Sequence, residues 1–369
     1  MATHEDAAME RLEAAFLAAR RGDSQAVLNL IASDTALLTA RDAANASSLL
    51  HIASRLSAAP LVAHLLLLRA DTEARDRGFR TPLHLAARAD AAAERLPLPQ
   101  PAAPSAGRDG SRLAAVKALL SARARVTARD GFGFTALHHA AAAGHTDVVE
   151  LLLSLPTAMG MPRAPLESET NAEERPLHLA AMGGHVETVR RLLERGSHPE
   201  KANYVGHTAL HLAVQGGDAP AMLRTVQEMI KREWRANLNA AAADGSTPLH
   251  LAAAGGHGRM VSVLLSAPNI KRHGNARTVD LRAVDKRGRT AAEVAAAGGF
   301  DDVVKLIEDE VMKRERRDAA APAEQHAALL TAMKQMRVER PSQHENAMHS
   351  VEEENCDVDD DSDAAELLE

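Results

Sequence analysis

One short pattern recurs along this chain, and its recurrence constrains the fold more than any other feature. It reads SLLHIAS at 48–54, TPLHLAA at 81–87, TALHHAA at 135–141, RPLHLAA at 175–181, TALHLAV at 208–214 and TPLHLAA at 247–253. A degenerate TAAEVAA follows at 290–296, and EAAFLAARRG at 13–22 shares the frame without the opening tetrapeptide. Successive starts lie 35, 33, 54, 40, 33, 39 and 43 residues apart, a unit of 33 with loop-sized insertions. A period of this length marks an array of supersecondary units, each too small to bury its own apolar face and therefore stacked on its neighbours.

The residue types fit a pair of helices per unit. Thr81, Thr135, Thr208 and Thr247 stand where a hydroxyl caps a first helix. Pro82, Pro176 and Pro248 fall at its first position, where a missing N–H costs nothing. Gly144, Gly184, Gly217 and Gly256 supply the left-handed residue that a tight reversal needs. Second helices follow with Val148, Val149, Leu152 and Leu153, with Val189, Leu192 and Leu193, with Val261, Leu264 and Leu265, and with Val303, Val304, Leu306 and Ile307.

With its TPLH signature and period, the chain resembles the ankyrin-repeat family over about residues 7–312. The resemblance implies an all-α ankyrin-repeat solenoid of about eight helix-turn-helix units with short hairpin fingers. The expected organisation is a solenoid over 1–312 with degenerate first and last units and insertions near 94–111, 155–174 and 267–280. A charged, partly helical extension over 313–350 and a disordered acidic tail over 351–369 complete it. Arg175 stands in place of a capping Thr, which predicts a less secure start for that helix. The sixth unit is expected to lengthen its second helix through Met222–Trp234. KRERR (313–317) is expected to end the last helix, and 324–340 to form a separate amphipathic capping helix.

Composition agrees: 46% of residues are hydrophobic but only 2% aromatic, so the core is mostly Ala and Leu, as closely stacked helices require. The single cysteine, Cys356, excludes an internal disulfide and any multi-cysteine metal site, and suits a reducing compartment. The longest apolar run, Leu61 to Leu68, contains His64 and is too short to span a bilayer, so no membrane association is expected. The N-terminus is acidic where a signal peptide would be basic, so the expected location is cytoplasmic, with KRERR open as either a nuclear address or a helix cap. The net charge of −7 is uneven, because residues 351–369 hold ten acids and no base. The remainder is close to neutral, and no direct nucleic-acid binding is expected.

Eighteen histidines invite a metal hypothesis, but the pattern accounts for half of them. His51, His84, His138, His178, His211 and His250 are the H of the motif, which the resemblance implies ties neighbouring repeats together. His145, His185 and His257 follow the helix-ending glycine. HENAMH (344–349) spaces its histidines five apart, where a metalloprotease helix needs four. No phosphate loop, dinucleotide fingerprint or nucleophile elbow is present, and acids around Cys356 suppress thiolate chemistry. Neither an enzyme, a metal nor a cofactor is expected.

In an Ala–Leu core each aromatic needs an explanation. Phe79, Phe132, Phe134 and Tyr204 lie in DRGFRT (76–81), DGFGFT (130–135) and NYVGHT (203–208), just before the recurring motif. The resemblance makes these segments hairpin fingers on the partner-binding face. Exposed aromatics beside Arg77, Arg80, Arg129 and His207 have the composition of an interface hot spot. The alternative is that Phe79 and Phe134 fold down to fill space between fingers. Trp234 is balanced between packing and recognition, and Lys286, Arg287 and Arg289 form a basic last finger suited to an acidic segment or to solvent. These residues give the expected function: a non-catalytic adaptor binding one or more proteins through fingers and inner helices. The alternative is a regulator or chaperone whose acidic tail shields a basic client protein.

Overall fold

The computed structural model describes residues 4–89, 108–155, 164–231, 233–234, 236–267, 271–272, 275–276 and 278–338. The chain divides into two units, Met1–Val311 and Met312–Glu369. Among the described residues, sixteen α-helices run as eight consecutive pairs, the number the repeats predict. The pairs are α1 (His4–Arg21) with α2 (Ser24–Ser33), α3 (Leu49–Arg55) with α4 (Ala59–Leu67), α5 (Pro82–Arg88) with α6 (Arg108–Ser121), and α7 (Ala136–Ala142) with α8 (Thr146–Ser154). They continue with α9 (Pro176–Met182) and α10 (Val186–Glu194), α11 (Ala209–Gln215) and α12 (Pro220–Met229), α13 (Pro248–Ala254) and α14 (Gly258–Leu265), and α15 (Ala291–Ala297) and α16 (Asp301–Val338).

From α3 to α15, each first helix packs on the first helix of the next unit, and from α4 to α14 each second helix packs on the next second helix. One continuous apolar core runs through the first unit from Ala15 to Ile307. First helices such as PLHLAAR bury Pro82, Leu83, His84, Leu85, Ala86 and Ala87, and the small alanines among them let successive layers approach closely. Six of the helix pairs turn on a glycine in the left-handed region, among them φ +70° at Gly144, +69° at Gly184, +77° at Gly217 and +66° at Gly256, while Ser57 takes that conformation between α3 and α4 at +54°. The next repeat uses the space: a Cβ on Gly144 would come within 2.4 Å of the His185 ring, and one on Gly256 within 2.5 Å of the Phe300 ring.

The motif histidines weld the repeats. The backbone N–H of Thr135 donates to His138 Nδ1 at 3.1 Å, and the same bond recurs from Ser48, Thr81, Arg175, Thr208 and Thr247 to the histidine three residues on. An N–H only donates, so Nδ1 must carry a lone pair and the proton must sit on Nε2. That Nε2–H donates to a carbonyl of the following repeat: Arg80 from His51, Ala128 and Phe134 from His84, Ser168 and Glu174 from His138, Lys201 from His178, Ser246 from His211 and Arg289 from His250. At Arg175 the backbone half of this cap survives the loss of the hydroxyl, and its guanidinium pairs with Glu167 and Glu169. Among the described residues no finger follows the last unit. There Glu293 replaces histidine and closes a capping box with Thr290, accepting its N–H at 2.7 Å.

Four expectations need correction or narrowing. KRERR does not end the last helix: α16 continues through it to Val338, and the stretch beginning at 324 is a continuation rather than a separate helix. The alanine-rich sequence around Pro322 sustains it, because one missing N–H interrupts a long helix without ending it. The helix α12 stops at Met229 instead of reaching Trp234; the chain leaves the helix at Ile230, and Lys231 and Trp234 turn back onto Glu228. Within the 94–111 insertion, 108–111 already form the start of α6. The 267–280 insertion holds a two-residue antiparallel pair, Lys271–Arg272 against Asn275–Ala276. Residues 90–107 and 156–163, HENAMH, Cys356 and the acidic segment 351–369 lie outside the described residues.

Candidate protein-binding site

Six fingers of five residues precede the helices α5, α7, α9, α11, α13 and α15. Each is closed by a bond from the first residue's N–H to the fifth residue's carbonyl: Asp76 to Arg80 at 3.1 Å, and Asp130 to Phe134, Thr170 to Glu174, Asn203 to His207, Ala242 to Ser246 and Asp285 to Arg289, all at 2.9 Å. A side chain braces the turn from inside. Asp130 Oδ1 accepts the N–H groups of Phe132 and Phe134 at 3.0 and 2.9 Å; Asp76, Thr170, Asn203 and Asp285 do the same. Burial would raise the Asp130 carboxyl, but hydrogen bonds from His139 and these backbone amides hold it below its ordinary value.

Adjacent fingers are joined at their tips. The second residue of each donates its N–H to a carbonyl of the finger before, or, for the first finger, of the turn preceding α3: Arg77 to Asn45 at 2.9 Å, Gly131 to Gly78 at 2.9 Å and Asn171 to Phe132 at 3.0 Å. Tyr204 to Ala172 at 3.1 Å, Ala243 to Val205 at 3.0 Å and Lys286 to Asp244 at 2.9 Å continue the row. The tips therefore form one backbone ladder, with their side chains held at fixed spacing above it. The fourth residue of each finger is left-handed, with φ of +84° at Gly133, +83° at Gly206, +82° at Gly245 and +74° at Gly288. Phe79 and Glu173 take the same conformation at φ +59° and +58°, which a bulky L-residue adopts only under strain.

Finger position sorts the residues named from sequence. Arg77, Phe79, Phe132, Tyr204, Lys286 and Arg287 occupy tip positions, with Phe79 59%, Phe132 72% and Tyr204 75% exposed. Arg80, Phe134, His207 and Arg289 occupy fifth positions and turn back on the fold. Arg80 and Arg289 each pair with their own finger's aspartate at 2.8 Å. Phe134 is half-buried against the His138 and His139 rings, at 5.7 and 5.4 Å between centroids, and His207 stacks on His211 at 5.4 Å. Trp234 lies off the row, half-buried, with its indole N–H on Glu228 at 3.4 Å. There Arg190, Lys231 and Trp234 converge on one buried carboxylate; burial would raise it, but their hydrogen bonds hold it at about 2.

Sequence reasoning missed the brace residues and the ladder. The brace has a signal, an Asp, Asn or Thr five residues before the cap, as in Asp76–Thr81, Asp130–Thr135, Asn203–Thr208 and Asp285–Thr290. It also missed Val205, an exposed apolar neighbour of Tyr204. Among the described residues, no group of three or more His, Cys, Asp or Glu is arranged to hold a metal, and no helix is long and apolar enough to cross a membrane.

Comparison with known proteins agrees with this architecture. The family described as Ankyrin repeats (3 copies) matches residues 105–203, 163–224 and 219–315, together more than half of the chain. Similar proteins include the E3 ubiquitin-protein ligase XBAT33 of Arabidopsis thaliana, 32% identical over 36% of this chain and 28% of that protein. NF-kappa-B inhibitor alpha of Sus scrofa is 34% identical over 27% of this chain and 32% of its own length. The Transient receptor potential cation channel subfamily A member 1 homolog of Caenorhabditis elegans is 29% identical over 47% of this chain and 12% of that protein. The matched segments thus span a third or less of these relatives. With eight stacked helix pairs, histidine-welded caps and these matches, the chain belongs to the ankyrin-repeat family.

Proposed function

We propose that this protein is a non-catalytic adaptor that binds a protein partner through its finger row and adjoining inner helices. Ankyrin repeats generally mediate protein–protein interaction. One relative, NF-kappa-B inhibitor alpha, is named for the protein it inhibits. The observation that carries the proposal is the exposure of Phe79, Phe132 and Tyr204 at the tips of a hydrogen-bonded ladder. Aromatics held on a rigid backbone lose little entropy when a partner covers them, which is what an interface anchor requires.

The test is a crosslinking pulldown from lysate with wild type, a chain truncated after Val351, and Phe79→Ala/Phe132→Ala/Phe134→Ala/Tyr204→Ala, with circular dichroism checking that the last still folds. Loss of a specific protein with the finger variant alone supports the adaptor. The second reading, an acidic shield for a basic client, rests on the ten acids and no base of residues 351–369. It is favoured if every specific protein survives the finger variant, is lost with the tail, and dissociates steeply with salt.

A further inference from the structure

The fingers at 76–80 and 130–134 combine exposed aromatic tips with arginines that bond to neutral carbonyls. Their own acids, Asp76 and Asp130, are buried and occupied in bracing the turns. Their outward cations are not matched by acids. Arg75 donates to the carbonyls of Phe79 at 3.2 Å and Arg129 at 2.9 Å, spanning the two fingers. Arg77 donates to the Ala43 carbonyl at 2.8 Å, and Arg129 to the Glu169 carbonyl at 2.8 Å. All three are exposed, and among the described residues none makes an ion pair with a carboxylate. Each guanidinium is thus held in place by neutral acceptors with its charge intact.

Between these cations stand two exposed rings. Phe132 is at the tip of the second finger, and the Phe79 ring lies beside Gly131 of that same finger, with its Cδ2 3.5 Å from where a Gly131 Cβ would be. Phe79 takes the left-handed position that is glycine in four of the six fingers. Glu173 takes the same left-handed position in the next finger, so it is the mostly exposed phenyl ring held at that strained position, more than the strain itself, that points to a role outside the fold. The next finger is of the opposite character, carrying exposed Glu173 at its tip, and Asp244 lies two fingers beyond.

Building on the adaptor reading, we infer that these two fingers bind an acidic, extended peptide segment of the partner, with an aromatic or long aliphatic anchor seated on Phe79 and Phe132. Its carboxylates meet Arg75, Arg77 and Arg129, where fork-shaped donors recognise them in preference to a point charge. Single-stranded nucleic acid also combines anions with rings. A continuous phosphate chain along the row, however, would meet Glu173 and then Asp244, whereas a short peptide ends before them.

Fluorescence anisotropy on the full chain tests this with a labelled dodecapeptide alternating glutamate with phenylalanine and leucine. Companion probes replace glutamate by lysine, or the apolar residues by alanine, and a twelve-nucleotide oligouridine covers the nucleic-acid outcome. The acidic apolar peptide should bind roughly tenfold or more tightly than either companion peptide. Phe79→Gly should weaken it to the same extent while leaving the melting temperature unchanged or higher, because glycine relieves the strain; Arg77→Glu should also weaken it. Tyr204→Ala and Lys286→Glu, on distant fingers, should have no effect. No saturable binding, binding indifferent to Phe79→Gly and Arg77→Glu, equal loss with Tyr204→Ala, or tighter binding of oligouridine would each overturn the inference. A lysate partner that still depends on Tyr204 in those cases would leave the adaptor reading standing.

Discussion

Lowering the pH from 7 to 5 should strip most of the stability from the repeat array, through the histidines that weld it. Each weld needs a neutral ring, because Nδ1 accepts the N–H of the capping residue while Nε2 donates onward. Burial, the dominant cause, pushes His84, His138, His178 and His211 down to about 4 from an ordinary 6.5, and lowers His51 as well. The folded pKa values are depressed, so between about 6.5 and 4 the unfolded chain binds protons that the folded chain refuses. Stability is therefore fully present above about 6.5 and falls as the pH descends towards 4. At pH 5 each of the four rings forfeits roughly 2 kcal/mol, or roughly 8 kcal/mol together, against the typical 5–15 kcal/mol of a folded domain. Asp130, Glu228, Asp244 and Asp285 are depressed acids whose contribution is lost only at lower pH. Glu174, raised by burial, acts in the opposite sense, but it is a single group.

Urea melts followed by circular dichroism at pH 7.5, 6.5, 5.5 and 4.5 would read this directly. The midpoint should be flat above about pH 7 and fall steeply below 6.5, with His211→Gln removing about one proton from the slope near pH 5. Ring titrations by NMR near 6.5 for these four histidines, or a constant midpoint from pH 7 to 5, would refute the reasoning.

Three further outcomes follow from single contacts. Gly206→Ala should cost about 2–3 kcal/mol, because φ is +83° and its Cβ would come within 2.5 Å of the Ala243 nitrogen that forms a ladder rung; Gly288→Ala, at +74° with nothing within 4 Å, should cost only about 1 kcal/mol in the same urea melts. Glu228→Gln should destabilise by about 1–2 kcal/mol, a figure discounted because Arg190 and Lys231 reach solvent, and should red-shift Trp234 fluorescence as the indole loses its acceptor. Leu152→Ala, at a fully buried position of α8, should cost about 2–5 kcal/mol and lower the melting temperature.

The helix pairs were legible in the sequence because their determinants are local. A cap, a proline at the first helical position and a glycine at the reversal each act within a few residues, and eight repetitions of the frame outvote any single departure. The extent of helices was less legible where side chains decide it: α12 stops early because Glu228 gathers Lys231 and Trp234, a cluster completed by Arg190 from the preceding unit. For the fingers, sequence identified the segments and their aromatics but could not assign direction. Phe132 and Phe134 are two residues apart, yet one stands at a tip and the other lies on histidine rings, because a five-residue turn sends its third residue outward and its fifth back. Arg77 and Arg80 divide in the same way, one at the tip and the other paired with Asp76.

That division explains how one scaffold holds its shape while its surface varies. In five fingers the first position is committed to the turn by its brace, whereas Asp244 braces the finger that begins at Ala242; fifth-position side chains such as Arg80, Phe134, His207 and Arg289 turn back on the fold. The second and third positions feed the ladder through their backbone, with Asn171 adding a side-chain bond to the Gly131 carbonyl, so Arg77, Gly131, Asn171, Tyr204, Ala243 and Lys286 fill equivalent places. The fourth position is restricted by its left-handed backbone, and glycine occupies it in four fingers. Recognition is thereby confined to about two side chains per finger, set at a spacing fixed by the backbone rungs of the ladder. Phe79 and Glu173 depart from that pattern by accepting backbone strain to place a third side chain at the surface, and Phe79 does so beside Arg75 and Arg77, whose bonds among the described residues go to neutral carbonyls. Strain and charge coincide there, so substituting Phe79 should separate binding from stability more cleanly than changing any other tip.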